Sequence, residues 1–238
     1  MPPTRSSDAA TSPWWAARWL AVVFPLLATF LALGLWITLS PADTMHVLRE
    51  GGPIEGLTEK MYFFLAIALW FSPRKPDEWR VTLALTVLLV AAGAREMDLH
   101  KALTGYSVLK VSFYLQNHPL LTKLVAFVCV ASTAAAAIYV LRNRMRSLWQ
   151  GMRRGEPMAC SIAVLVITLV ITKLMDRSIS VLGQDFGLHA SASTVALVSA
   201  LEETVEMSLP MIASWARLQY MKLATCRSRL HKKPPVWA

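Results

Sequence analysis

Three glutamates interrupt an apolar stretch near the end of the chain, and they are the residues best suited to chemistry. Glu202, Glu203 and Glu206 lie within residues 191–216, where the other side chains are mostly apolar. Together with Ser199 they follow an i, i+3, i+4, i+7 spacing, which places them on one face of a helix. Ionised side chains at membrane depth are costly and usually functional, so this stripe is predicted to face a protein interior or a water-filled cavity.

The composition is that of a polytopic membrane protein. Of the 238 residues, 55% are hydrophobic and the mean hydropathy is +0.45, which is too apolar for an ordinary soluble domain. We predict an all-α fold, a six-transmembrane-helix bundle within residues 14–217. Residues 1–13 are predicted to be a disordered cytoplasmic tail and residues 218–238 a basic cytoplasmic tail. The six apolar runs cover about residues 15–39, 55–72, 79–97, 120–142, 157–178 and 191–216.

The positions of lysine and arginine predict the orientation. With a cytoplasmic N-terminus, the cytoplasmic segments hold 16 of the 24 Lys and Arg residues and 4 of the 15 acidic residues. Cytoplasmic loops carry such an excess of positive charge. Both termini are therefore predicted to be cytoplasmic, with residues 40–54, 98–119 and 179–190 on the opposite side. The net charge of +9 reflects this asymmetry, so membrane lipids are predicted as partners and nucleic acid is not.

Other charged residues lie near the same end of the apolar runs. At about 1.5 Å per residue, seven of the charged positions lie roughly 16–28 Å from the cytoplasmic ends of their helices. The hydrocarbon core is about 30 Å thick, so these positions converge on one layer in its outer half. The sequence therefore predicts a polar cavity that faces the non-cytoplasmic side of the membrane. Those seven positions are Glu59, Glu96, Lys173, Asp176, Glu202, Glu203 and Glu206.

One interpretation of the cavity is a metal-dependent enzyme. Carboxylates with an imidazole suit Zn²⁺, Mn²⁺ or iron, whereas carboxylates alone suit Mg²⁺ or Ca²⁺. A bound divalent metal would lower the pKa of its water and generate a nucleophile. The predicted metal ligands are Glu96, His100, Glu202 and Glu206, and the predicted catalytic residues are Glu203, Asp98 and Glu59.

In this interpretation the substrate is a lipid or a lipid-linked headgroup. Arginine and lysine side chains recognise phosphate through charge-assisted hydrogen bonds. The predicted substrate-binding residues are Arg95, Lys101, Lys173, Arg177, Glu55 and Asp176.

Two other functions remain open. The glutamate stripe could relay protons or cations in a coupled transporter or ion pathway, although no matching polar stripe is evident in the cytoplasmic halves of the predicted helices. Alternatively, the charges could form buried ion pairs in a non-catalytic subunit that pairs with another membrane protein. The three cysteines form no CxxC motif and are given no role.

Two sequence blocks carry a resemblance to a known group of proteins. Residues 94–101 (AREMDLHK) and 201–206 (LEETVE), with residues 50–55 (EGGPIE), 110–115 (KVSFYL) and 173–177 (KLMDR), resemble a group of bacterial polytopic inner-membrane proteins that has ARExDxHK-like and EExxE-like blocks. The resemblance covers about residues 48–210. It implies a multi-pass location in the bacterial inner membrane, so that the polar cavity would face the periplasm, and it implies no particular activity.

Overall fold

The computed structural model describes residues 14–48, 52–72, 78–99, 111–115, 118–186 and 190–231. All the regular secondary structure in these ranges is helical, which confirms the all-α prediction. A short 3₁₀ turn at Trp14–Ala16 comes first. Eight α-helices follow in the described ranges: α1 Leu20–Thr38, α2 Pro41–Val47, α3 Pro53–Phe71, α4 Trp79–Glu96, α5 Val111–Leu115, α6 Leu120–Arg154, α7 Pro157–Phe186 and α8 Ala192–His231.

Each of the six apolar runs largely coincides with a long helix, and several helices extend beyond their run. Helix α6 continues to Arg154, α7 to Phe186 and α8 to His231, because the backbone hydrogen bonds of a helix persist where the polar flanks meet water. Among the described residues, three helices are long and apolar enough to cross a membrane on their own: α1, α6, and α7 over Pro157–Ile179. The prediction for residues 1–13 lies outside the described residues.

Helix α8 is the centre of the bundle. It packs against α1, α2, α3 and α7, while α4 packs against α3 and α6. Small side chains allow close approach of helices in a membrane, and Ala32 of α1 packs against Ala200 of α8 in a buried cluster. The indole N–H of Trp36 donates to the backbone carbonyl of Ser193, 3.1 Å away, and joins the end of α1 to the start of α8.

The short helix α2 was not predicted, although its sequence carries a start signal. The hydroxyl of Ser40 accepts a hydrogen bond from the backbone N–H of Asp43, and Pro41 occupies the first helical position. Both features are typical of a helix N-terminus. The helix is only 7 residues long, and the hydropathy pattern alone does not reveal so short an element.

The turn between α6 and α7 depends on a glycine. Gly155 has φ +68°, and it donates to the carbonyl of Met152 while Glu156 donates to that of Gly151. This pair of bonds is the Schellman motif, whose left-handed residue is usually glycine. A tight reversal of the chain therefore follows directly after α6.

Replacing Gly155 with alanine is expected to lower the free energy of unfolding by roughly 1–2 kcal/mol, the cost of the left-handed conformation for a residue with a Cβ. The added Cβ would also collide with the guanidinium of Arg18, which would have to move. Thermal unfolding of the purified protein in detergent measures the loss. Gly56→Ala is the control, because nothing lies within 4 Å of a Cβ at that position; an equal effect of both substitutions would contradict the prediction.

Candidate functional site

The predicted cluster of charges lies where four helices meet. The central helix α8 contributes Glu202, Glu203 and Glu206. These glutamates face the neighbouring helices, because on the other side of α8 their carboxylates would face lipid. Of the three, Glu206 is the most enclosed and is 6% exposed, whereas Glu202 and Glu203 are half-buried. Helices α3 and α7 pack against α8, and Glu96 at the end of α4 approaches this part of it.

A direct ion pair joins α7 to α8. The ammonium of Lys173 donates a hydrogen bond to Oε1 of Glu206. Lys173 is one of the predicted substrate-binding residues, and the structure gives it an internal partner instead. A buried carboxylate requires such a partner, because the desolvation of an isolated charge is very costly.

A second carboxyl group approaches Glu206 from the end of α4. The Glu96 carboxyl interacts electrostatically with the Glu206 carboxyl. Two ionised carboxylates in a protein interior repel each other, so a nearby cation or a bound proton stabilises such a pair. Arg95 lies on the outer side of this pair, with Nη1 3.8 Å from Oε1 of Glu96, and its side chain is 46% exposed.

The remaining carboxylates extend the cluster towards α3 and α7. Glu202 interacts electrostatically with Asp176 of α7 and with Glu206, and Glu203 interacts with Glu202, Glu206 and Glu55. Several carboxyl groups therefore lie close together beside the Lys173–Glu206 pair. Like charges this close favour binding of a cation or of protons.

The backbone of α8 has an unusual feature at the same place. Pro210 lies inside the helix and has no N–H to bond the carbonyl four residues earlier, which is that of Glu206. The most enclosed glutamate thus also has a main-chain oxygen that lacks its helical donor. A proline at this position makes α8 easier to bend next to the ion pair.

Other predicted site residues have different surroundings. Glu59 is half-buried on α3, one turn after Glu55, and Arg177 is exposed on α7. Asp98 follows the end of α4 in a left-handed conformation with φ 44°, and its N–H donates to the carbonyl of Arg95 at 3.0 Å. This geometry ends a helix and gives Asp98 a structural task. His100 and Lys101 lie outside the described residues.

Tyr62 belongs to the cluster and was not predicted. It is buried on α3 and interacts electrostatically with Glu96, Glu206 and Arg95. Its position follows Glu55 and Glu59 by seven and three residues, so the helical repeat of that polar face could have identified it. Its phenolic group can both donate and accept a hydrogen bond.

The predicted metal site lacks support in the described part of the chain. No three His, Cys, Asp or Glu side chains there are arranged so that they could hold a metal ion. Glu206 is already occupied by Lys173 and Glu96, and the only predicted imidazole ligand, His100, is outside these residues. No reaction step is therefore derived through a metal.

Polar contacts also link the helices at the opposite end of the bundle. The hydroxyl of Tyr220 donates to the carboxylate of Glu78, and Nη2 of Arg144 lies 4.0 Å from the same carboxylate. Burial, followed by this hydrogen bond, raises the pKa of the Tyr220 hydroxyl to about 12, so it remains a donor at physiological pH. Glu78 thus joins the start of α4 to both α6 and α8.

No protein-family model, no curated protein and no solved structure matches the chain. The resemblance to bacterial inner-membrane proteins stays a prediction. The function of the cluster is inferred below from its geometry and chemistry.

Proposed function

We propose that the chain is a bacterial inner-membrane protein with six spans, both termini in the cytoplasm and the acidic cluster near the periplasmic side. Three apolar helices support a membrane location. Helices α3 and α4 have 19 and 18 residues, or about 27–29 Å at 1.5 Å per residue, which nearly matches the hydrocarbon thickness. Their charged ends lie at the cluster, where neighbouring helices shield them from lipid.

We further propose that the cluster binds and releases a proton, as in a proton-coupled transporter or ion pathway. The observation that carries this proposal is the electrostatic interaction of the Glu96 and Glu206 carboxyl groups beside Lys173, because two ionised carboxylates repel and one shared proton would remove that repulsion. Buried carboxyl groups in membrane proteins commonly act as proton relays. This function is favoured over a metal-dependent hydrolase, for which the described residues offer no ligand set.

Loss of the shared proton would change the forces between the helices. With the proton, Glu96 and Glu206 attract each other and hold the end of α4 against α8. Without it, two carboxylates face one another with Lys173 bonded to only one of them, and they repel. Proton release would thus separate α4 from α8 beside Pro210, where α8 bends most easily.

Buried polar groups continue from the cluster towards the cytoplasmic end. On α7 the spacing of Ser161, Thr168 and Thr172 places them on one face, and all three are buried. The hydroxyl of Ser161 donates to Oε1 of Gln219 at 2.8 Å, also fully buried. The sequence suggested a sealed apolar half, whereas the α7–α8 interface contains hydroxyl and amide groups that suit a proton path with intervening water.

Proton binding is tested by infrared difference spectroscopy of the full-length protein in lipid nanodiscs between pH 9 and pH 5. We expect a band from a protonated carboxyl group that is lost in Glu206→Gln and in Glu96→Gln, because an amide at either position cannot share the proton in the same way. Glu156→Gln is the matched control, since Glu156 lies in the turn after α6, and it should leave the band intact.

Two outcomes would overturn the proposal. One is an unchanged band in folded Glu206→Gln and Glu96→Gln proteins. The other is a stoichiometric divalent metal whose removal by a chelator changes the same band, which would restore the metal-dependent enzyme as the preferred function.

A further inference from the structure

The cytoplasmic end of α6 extends far beyond what the membrane requires. The helix has 35 residues, or about 52 Å at 1.5 Å per residue, against a hydrocarbon thickness of about 30 Å. Residues 141–154 form the excess and are here named the α6 extension. Its far end turns directly into α7 through Gly155.

Apolar side chains on the α6 extension form a continuous stripe. They follow an i, i+4, i+7, i+8, i+11 spacing, so they occupy one side of the helix. Three of them are strongly exposed: Leu141 and Met145 by 50% each and Trp149 by 59%. Apolar groups this exposed next to a membrane suit the boundary between headgroups and acyl chains, where tryptophan is enriched. The stripe consists of Leu141, Met145, Leu148, Trp149 and Met152.

A row of arginines borders this stripe. Arg142, Arg146 and Arg153 have an i, i+4, i+11 spacing, and all three are exposed. The other border of the stripe faces protein: Arg144 contacts Glu78 of α4, and a Cβ on Gly151 would lie 2.9 Å from that of Ala159 in α7. The border with Arg144 and Gly151 therefore packs against other helices, whereas the border with the three exposed arginines can bind an anion.

We propose that the α6 extension passes through the cytoplasmic headgroup layer and binds anionic phospholipid headgroups there, an inference that rests on the proposed six-span topology. The apolar stripe would enter the acyl boundary, and the phosphates of the lipids would pair with Arg142, Arg146 and Arg153. An amphipathic helix with arginine on its polar side and a tryptophan on its apolar side has the features of an interfacial membrane helix. This site is independent of the acidic cluster and of its proposed proton chemistry.

The location is tested by a fluorescent label on a single cysteine in a background without Cys129, Cys160 and Cys226. Met145→Cys places the label on the stripe and Gln150→Cys on the opposite, exposed side. Brominated lipids are expected to quench the label at 145 several-fold more than the label at 150, and aqueous iodide should show the reverse order. Equal quenching of both labels by iodide, with none by brominated lipid, would overturn the interfacial location.

The lipid preference is tested by native mass spectrometry of protein purified from mixed phosphatidylglycerol and phosphatidylcholine. A preference of about tenfold for phosphatidylglycerol is expected from several arginines at the surface. It should fall to near unity in Arg142→Gln/Arg146→Gln/Arg153→Gln, and it should weaken at high salt. The matched control, Arg229→Gln/Lys232→Gln/Lys233→Gln, removes the same charge from the C-terminal end and should keep most of the preference.

Three results would refute lipid binding by the α6 extension. The first is an unchanged preference in the α6 variant, and the second is loss of preference in the control variant alone. The third is displacement of the lipid by millimolar inorganic phosphate, which would indicate a phosphate site instead of a lipid surface.

Discussion

Replacing Lys173 with methionine is expected to lower the free energy of unfolding by about 3 kcal/mol, the cost of removing one partner from a buried ion pair. Methionine keeps much of the length of the side chain but cannot donate to Glu206. The carboxylate of the buried Glu206 side chain would then lie among other carboxyl groups without its cation. Lys173 is 31% exposed, so water relieves part of the penalty and a larger loss is not expected.

A double-mutant cycle distinguishes this pair from a general packing defect. Unfolding in detergent is measured for Lys173→Met, for Glu206→Gln and for the combined protein. The combined substitution should recover much of the stability, because it removes the unpaired charge. Arg95→Met is the control: its contact with Glu96 is longer and more exposed, so we expect a loss below about 1 kcal/mol. Additive losses in the double mutant would contradict a specific Lys173–Glu206 interaction.

Replacing Gly93 with leucine is expected to disrupt the packing of α4 on α3. A Cβ at this position would lie 3.0 Å from Cε2 of Phe63 and 3.3 Å from the Cβ of Tyr62. The further carbons of leucine have no space there, so the two helices must move apart. Overpacking of this kind costs about 1–3 kcal/mol, occasionally more, and we expect a value near the upper end. Displaced α3 would also carry Tyr62 away from the acidic cluster.

The yield of monodisperse protein in detergent and its midpoint of thermal unfolding measure the effect. Gly34→Leu makes the same change on α1, where a Cβ would meet nothing within 4 Å, and it should be tolerated. Equal midpoints of thermal unfolding for Gly93→Leu and Gly34→Leu would contradict the close approach of α3 and α4.

The helical positions were predictable from the sequence because hydropathy acts over short distances. Each apolar run must be helical to satisfy its backbone groups away from water, and the runs coincide with α1, α3, α4, α6, α7 and α8. The spacing of Glu202, Glu203 and Glu206 likewise places them on one face, since it depends only on the helical repeat. The Schellman turn at Gly155 and the cap at Ser40 also depend on local residues, although neither was predicted.

The partners across helices were decided by tertiary structure. The sequence predicted that Lys173, Glu96 and Glu206 lie at similar depths, but it could not indicate which carboxylate would pair with Lys173. The pairing depends on the rotation and tilt of α7 and α4 relative to α8. Side-chain packing over the whole interface determines that rotation and tilt. For the same reason the buried Ser161–Gln219 pair was not predicted. Depth and face are local properties of one helix, whereas the identity of a contact requires the relative placement of two.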